Sequence, residues 1–312
     1  MDWDLLRIFL AVAKAGSFTQ AGKDVGLSQS AVSRQVAKLE QSLGVSFFHR
    51  HPRGLALTEQ GDDFLRTVKE MSAKLGMAEA IINERRERPE GPLKITTSVG
   101  FGSAWLTSRM NEFITLFPDI SVTLLLTDSL DLDLSMREAD VAIRFARQTQ
   151  PSLIQRRLMS IRYHVFASKE YLAKNGMPKQ AKDMDHHPII VYGDETPAPI
   201  SNINWLLEAS AGRGHAREPA LRVNSVYGIY RAVLSGLGIA ALPYYMSDES
   251  PELVEILPEL RGPSFDVFFV YPEELRHSKR ITSVRNFLVD AAKKDLAQKP
   301  PEEIETSSPD VR

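Results

Sequence analysis

The stretch that decides the fold lies near the N-terminus, where residues 27–36 read LSQSAVSRQV. Ser28 precedes a run in which apolar residues recur at helical spacing from Val32 to Leu39, and Gly44 follows the run. Serine is favoured at the start of a helix, and glycine is favoured just after its end. The pattern therefore predicts one amphipathic helix with an apolar stripe along one side.

The opposite side of this helix carries small polar residues at its start and cations further along. Short hydrogen-bonding side chains at a helix N-terminus can approach base edges in the major groove of DNA, and longer cations reach bases or phosphates. The alternative is an ordinary solvated face that contacts nothing. The DNA contacts predicted on this helix, with Arg34 as a guanine contact, are Ser28, Gln29, Ser30, Ser33, Arg34 and Lys38.

The segments on either side complete a winged helix-turn-helix. Apolar residues at helical spacing before Gly16 predict a first helix, and only Gly26 and Leu27 separate a short second helix from the third. Residues 45–57 predict a two-stranded wing with the basic tip HRHPRG, so Arg50 and Arg53 join the predicted DNA contacts.

The distribution of charge agrees with a DNA-binding N-terminus. Residues 1–58 hold seven Lys and Arg against four Asp and Glu, a net charge of +3, so the remainder of the chain carries −5. A small basic module joined to a larger acidic one indicates that phosphate contact is confined to one end of the chain.

A long helix is predicted from residue 59 to about residue 88, where Pro89 and Pro92 end it. Its apolar residues are alternately four and three positions apart, which is a heptad pattern and favours pairing with a second copy of the helix. The alternative is that they pack against their own domain. The predicted dimerisation residues are Phe64, Val68, Met71, Leu75, Ala78 and Ile82.

Beyond Pro92 the pattern changes to strands that alternate with helices, which is typical of parallel sheets covered by helices on both faces. Two such groups predict two lobes with a cleft between them. Lobe I is predicted at about 92–162 and 266–297, and lobe II at about 163–265. Residues 298–312, rich in Pro, Glu and Ser, are predicted to be a disordered tail.

Several ordered segments resemble the LysR-type transcriptional regulators. They are FTQA at 18–21, LSQSAVSRQV at 27–36, LGV at 43–45 and LTEQG at 57–61, together with ADVAIR at 139–144 and LSGLGIAALP at 234–243. The resemblance implies a DNA-binding domain at 1–58, a linker and dimerisation helix at 59–91, and a two-lobed effector domain, similar to periplasmic binding proteins, at 92–297. It also implies homodimers that assemble into tetramers, a dyad-symmetric operator, and contact with RNA polymerase.

Three further segments resemble the LsrB/VtlR branch of that family, which is found in alphaproteobacteria. They are MDWD at 1–4, FHRH at 48–51 and FVYPEE at 269–274. The chain has no cysteine, so a cysteine-based redox sensor, a disulfide framework and a thiolate metal site are all excluded.

The effector site is expected where strands end at the cleft. Residues 97–100 follow the first strand and precede a helix, and Asn224-Ser225 repeats this arrangement in lobe II. Helix N-termini attract anions, which predicts a small anionic effector, whereas the alternative is that Ser98 and Ser225 only cap their helices. With the residues that the resemblance adds, the candidates are Thr97, Ser98, Val99, Gly100, Asp128, Arg144, Tyr192, Asn224 and Ser225. The alternative for Arg144 is a structural ion pair with Asp128 as its partner.

Two other classes of protein were weighed. An enzyme is disfavoured because the sequence has no Gly-x-Ser-x-Gly, His-Glu-x-x-His or phosphate-binding glycine loop, so no catalytic residue, metal or cofactor is expected. A solute-binding protein is disfavoured by the attached DNA-binding head and by an acidic N-terminus unlike a signal peptide. No apolar run approaches the roughly 20 residues of a membrane span, and the expected location is the cytoplasm, on the nucleoid.

Overall fold

The computed structural model describes residues 2–51, 54–83, 88–128, 132, 134, 138–193, 198–209 and 216–297, so the predicted tail lies outside the described residues. The chain divides into two compact units, residues 1–83 and 84–312. The first unit consists of helices α1 (Trp3–Ala15), α2 (Phe18–Val25) and α3 (Gln29–Leu43), strands β1 (Phe48–His51) and β2 (Gly54–Leu57), and helix α4 (Glu59–Asn83).

Local signals set the boundaries of the first three helices. Gly16, Gly26 and Gly44 follow them in the left-handed conformation that a side chain would disfavour. Only Gly26, Leu27 and Ser28 connect α2 to α3, which is the short turn that the sequence predicted. The turn therefore fixes where α3 begins, and with it the position of its N-terminal residues.

The core of the first unit includes residues that the sequence assigned to a dimer seam. Val68 is fully buried against Phe9 and Leu39, and the ring of Phe64 stacks on that of Phe47 with 4.5 Å between centroids. The prediction that Val68 lies between two chains is wrong, because its side chain has no surface left for a partner. For Val68 and Phe64 the alternative, packing against their own domain, holds.

The next two turns of α4 differ from the first. Met71 and Leu75 are 45% and 48% exposed, which is unusual for large apolar side chains on one helix face. The side chains of Ala78 and Ile82 lie outside the described residues. A contact between two chains along α4 therefore stays a prediction, and of the described residues it rests on Met71 and Leu75.

The second unit is built around one nine-stranded sheet in the order β4-β3-β5-β11-β6-β9-β7-β8, with β10 paired to β6. Strands β3, β4 and β5 are parallel to one another, as are β7, β8 and β9, whereas β6 and β11 run antiparallel to their neighbours. The strands are β3 (Gly91–Thr97), β4 (Ile120–Leu126), β5 (Val141–Arg144), β6 (Leu153–Ser168), β7 (Ile189–Tyr192), β8 (Leu221–Val223), β9 (Ile239–Pro243), β10 (Leu253–Ile256) and β11 (Ser264–Pro272).

Helices connect these strands. A π-helical turn at Gly102–Leu106 joins the first two α-helices of this unit, and short 3₁₀ helices follow several strands. The α-helices are α5 (Val99–Phe101), α6 (Thr107–Leu116), α7 (Lys169–Asn175), α8 (Val226–Leu234) and α9 (Lys279–Ala297). The sequence pattern predicts helices at 225–235 and at about 279–296, and α8 and α9 correspond closely to these ranges.

Strand β6 creates the two lobes. Its residues up to Arg162 pair with β11, and its residues from Tyr163 onward pair with β9. We call the half of the sheet with β3, β4, β5 and β11 lobe I, and the half with β7, β8, β9 and β10 lobe II. The sequence predicted only residues 163–167 of β6, because the polar and charged residues at 155–157 hide the strand pattern in its first half.

A buried arginine stabilises the loops of lobe II. The Arg217 side chain is only 6% exposed, and its Nε donates to Asp185 Oδ1 at 2.7 Å. Its Nη atoms donate to three backbone carbonyls, those of Ala181, Leu206 and Ala209, at 2.8–3.0 Å. One guanidinium group thus joins segments that lie up to 36 residues apart in sequence.

Candidate functional site

The outer face of α3 is as polar in the structure as the sequence predicted. Gln29, Ser30, Arg34 and Lys38 are exposed and Ser33 is half-buried, whereas Val32, Val36 and Leu39 face the core. Short side chains therefore occupy the N-terminal end of this face and cations the following turns. This arrangement suits a helix that enters the major groove end-on.

Ser28 caps α3. Its hydroxyl oxygen accepts a hydrogen bond from the Ala31 backbone N–H at 3.2 Å and lies 3.1 Å from the Ser30 hydroxyl. Capping occupies one acceptor position of the Ser28 hydroxyl and leaves the positive end of the helix dipole at the surface. A nearby phosphate would be attracted to this end of the helix.

The wing forms as an antiparallel pair in which Arg50 is opposite Leu55. The side chain of Arg50 and the whole of Arg53 lie outside the described residues. Their roles as DNA contacts remain predictions from the sequence.

In lobe I, the predicted anion site is occupied by groups of the protein itself. Ser98 accepts a hydrogen bond from the Phe101 backbone N–H at 3.3 Å, so it caps its helix as the alternative proposed. Asp128 Oδ1 accepts from the Val99 N–H at 2.9 Å. The carboxylate of Asp128 therefore holds the position that an anionic ligand would need at this helix N-terminus.

Three other candidates stand at strand ends in different environments. Thr97 is fully buried, and its hydroxyl makes no hydrogen bond within the described part of the chain. Arg144 donates to the Leu132 carbonyl at 3.0 Å. The backbone N–H and carbonyl of Tyr192 are both bonded by the side-chain amide of Asn204 at 2.9 Å, which fixes the end of β7.

The helix N-terminus predicted in lobe II, at Asn224-Ser225, lacks the side-chain cap that Ser98 provides in lobe I. Asn224 is exposed, and Ser225 precedes α8 without a capping hydrogen bond from its side chain among the described contacts. Neither residue lines the chamber between the two lobes.

Between the lobes lies a narrow chamber, partly open to solvent, whose lining includes Ser98 and Gly100 of the predicted set. Most of its wall consists of side chains that the sequence analysis missed. We define the interlobe chamber by its five aromatic residues, Phe101, Phe145, Tyr163, Tyr245 and Phe265. Tyr192 lines an adjoining space in lobe II of about 280 Å³, and Tyr163 borders both spaces.

The sequence held a signal for part of this wall. Phe101 directly follows Gly100, and Phe145 directly follows Arg144, so both are next to predicted positions. Tyr163 and Phe265 lie where β6 and β11 pass between the lobes, and only the strand pairing reveals that placement.

The lobes approach each other closely at Gly100. A methyl group on this residue would lie 3.2 Å from Val226 Cβ and 3.4 Å from Met246 Cε, both in lobe II. Any side chain at position 100 would press on the opposite lobe. Gly100 therefore lies at a point of close approach between the lobes, where no larger residue fits without a shift.

The described residues contain no cluster of three or more His, Cys, Asp or Glu side chains that could hold a metal ion. Among the same residues, no helix combines the length and the apolar character needed to cross a membrane.

Comparison with known proteins agrees with this architecture. Residues 3–62 match the family model for the bacterial regulatory helix-turn-helix protein of the lysR family, and residues 86–293 match the LysR substrate binding domain. The HTH-type transcriptional regulator CrgA of Neisseria meningitidis is 28% identical over 289 residues, which cover 91% of this chain and 95% of that protein. DmlR of Escherichia coli is 29% identical over 288 residues, which cover 91% and 92%.

A solved structure of CrgA from Neisseria meningitidis is similar over 94% of this chain and 99% of its own, with 26% sequence identity and a TM-score of 0.58. Both relatives are named as transcriptional regulators, and neither is named as an enzyme. With a helix-turn-helix at one end, a two-lobed substrate-binding domain at the other, and both family models matched, the chain belongs to the LysR family of DNA-binding transcriptional regulators.

Proposed function

We propose that the protein reads a specific operator with the outer face of α3 and that a small molecule held between the two lobes controls its activity. The observation that carries the proposal is the exposed face of α3, where short polar side chains precede Arg34 and Lys38. The basic balance of residues 1–58 supports it.

The proposed function also implies how the protein assembles and which partners it contacts. Two copies pair through α4, with Met71 and Leu75 as exposed apolar contacts, and the dimers assemble into a tetramer through their effector domains. Paired heads require an operator with dyad symmetry. The regulator acts on the nucleoid in the cytoplasm and contacts RNA polymerase. The segments at 1–4, 48–51 and 269–274 support its place in the LsrB/VtlR branch.

The charge of the effector depends on the helix N-termini at the cleft. The two helix N-termini predicted an anion. The hydrogen bond from Val99 to Asp128 speaks against an anion in lobe I, because a negative charge already occupies that position.

Genome-wide mapping of bound DNA tests the proposal as a whole. Discrete sites should appear for the wild-type chain and should vanish for the Ser33→Ala/Arg34→Ala double variant. A wild-type chain with no enriched site under any growth condition would contradict the proposed function. The mapped sites also supply the operator for the measurements below.

Replacing Arg34 by alanine should weaken binding to the operator by about 1 to 3 kcal/mol and binding to a random duplex by less, because a base contact adds discrimination. Fluorescence anisotropy on the two duplexes at one salt concentration measures both affinities. Arg66→Ala is a matched control, since Arg66 is 70% exposed on α4 and pairs with Asp63 in the same unit. Equal losses on both duplexes would rule out base reading by Arg34.

Replacing Arg53 by alanine should weaken binding to both duplexes alike and reduce the dependence on salt by roughly one released counterion. The slope of log Kd against log salt concentration measures this. An unchanged slope would remove Arg53 from the predicted phosphate contacts.

A further inference from the structure

The interlobe chamber has a continuous aromatic wall. Tyr245 contacts Phe101 edge-on with centroids 5.6 Å apart, Phe101 contacts Phe145 at 5.8 Å, and Phe145 contacts Phe265 at 5.8 Å. Tyr163 completes the chain at 5.8 Å from Phe265. These rings come from both lobes and from the two strands that join them, and Phe145 and Phe265 are half-buried, so these two present the accessible part of the wall to a ligand ring.

Asp128 is close to both tyrosines of this wall. Burial, followed by interaction with Tyr192 and with Asp128, raises the pKa of Tyr163. Burial, followed by interaction with Tyr163, Tyr244, Asp128 and Glu249, raises the pKa of Tyr245 as well. Both tyrosines therefore stay neutral, and Asp128 is the carboxylate that acts on both.

The lining of the chamber carries no cation among the described residues, since it includes no lysine, arginine or histidine. Nearby, Arg144 donates a guanidinium N–H to the Leu132 carbonyl. The charge of Arg109 opposes the effect of burial, which raises the pKa of Glu249. Asp128 uses one oxygen on the Val99 N–H, while its buried Oδ2 accepts no hydrogen bond from the described residues.

We propose that the effector of this cleft is a compound with an aromatic ring that carries no negative charge. The inference rests on the proposed function, since it names the ligand class of the proposed effector site. Ring contacts with the aromatic wall supply the attraction, and a donor group on the ligand would be favoured on the side of Asp128. A carboxylate would instead meet a like charge in a poorly solvated space.

Three probes that share one ring test the inference on the full-length chain without DNA: benzyl alcohol, benzylamine as its cation, and benzoate. Titration calorimetry and thermal shift at millimolar concentration should show that the alcohol and the amine bind at least about tenfold more tightly than benzoate, as expected for one like charge at close range. Benzoate binding as tightly as the other two would overturn the proposal. Failure of all three to bind would overturn it as well.

Asp128→Asn isolates the charge, since asparagine keeps an oxygen that can accept from the Val99 N–H. We expect the ratio of benzoate affinity to benzylamine affinity to rise about tenfold. Asp119→Asn removes the same charge from an exposed position of lobe I and should leave the ratio unchanged. An unchanged ratio in the Asp128 variant would exclude the carboxylate as the source of selectivity.

The two proposals can fail separately. A chain that binds benzyl alcohol but no DNA site would contradict the regulator and leave the ring preference standing. A chain that binds its operator but prefers benzoate would contradict only the ring-and-charge inference.

Discussion

Replacing Arg217 by alanine is expected to lower the free energy of unfolding of the second unit by about 3 kcal/mol, the largest effect that we predict for one side chain. The guanidinium group is almost fully buried and donates to three backbone carbonyls as well as to Asp185. Alanine would leave these acceptors without a donor, and water entering the vacated space would satisfy only some of them.

Urea unfolding of the full chain, followed by tryptophan fluorescence, measures this loss. Trp105 and Trp205 both lie in the second unit, and the remaining tryptophan, Trp3, lies in the first. Asp185→Asn is the matched control: the Asp185 side chain is 44% exposed, so its charge is screened and its loss should cost about 1 kcal/mol or less. Equal costs for the two variants would show that the carbonyl bonds contribute nothing net.

Replacing Gly61 by alanine is expected to destabilise the first unit by about 2 kcal/mol, although alanine alone favours a helix by about 1 kcal/mol over glycine. The added methyl group would overlap the Phe47 carbonyl oxygen and lie 3.0 Å from Leu57 Cδ2. Phe47 has little freedom to move, because its ring stacks on Phe64 and its N–H donates to Glu40 at 2.6 Å.

Hydrogen–deuterium exchange on the full chain locates this effect. Protection of the amides at 47–62 should fall in the Gly61→Ala variant, since the Gly61 N–H donates to Thr58 Oγ1 and the Thr58 N–H donates to the Phe47 carbonyl. Gln60→Ala is the control, because Gln60 is exposed on the same turn of the helix. Greater protection of these amides in the Gly61→Ala variant than in the wild-type chain would mean that the higher helix propensity of alanine outweighs the steric cost.

The first unit was predictable nearly element by element because its signals are local. Ser28 and Gly44 bound α3 within one stretch of sequence, and the apolar stripe between them reports its buried face. The heptad pattern of α4 was less informative, because it does not distinguish a partner chain from the helix's own domain. The full burial of Val68 and the stacking of Phe64 on Phe47 decided between the two for the first part of the helix.

The effector cleft was predictable only in part because its wall is assembled from distant segments. Strand ends identified Ser98 and Gly100, but the contact of Asp128 with Val99 spans 29 residues and has no local signature. The same is true of the ring contacts between Phe101 and Tyr245. The two helix N-termini predicted a small anionic effector, and the tertiary contact of Asp128 that bears on this prediction could not be read from the sequence.

Strands β6 and β11 form a two-stranded ribbon that connects the two lobes of the second unit and can twist about its long axis. They remain hydrogen-bonded where they pass between the lobes, with Ser264 opposite Arg162 and the Tyr163 N–H donating to the Pro263 carbonyl. A paired ribbon resists stretching and shear but can be wound or unwound about its long axis. Tyr163 and Phe265 lie where this ribbon passes between the lobes. We therefore expect a change in the angle between the lobes to rotate both rings of the chamber wall.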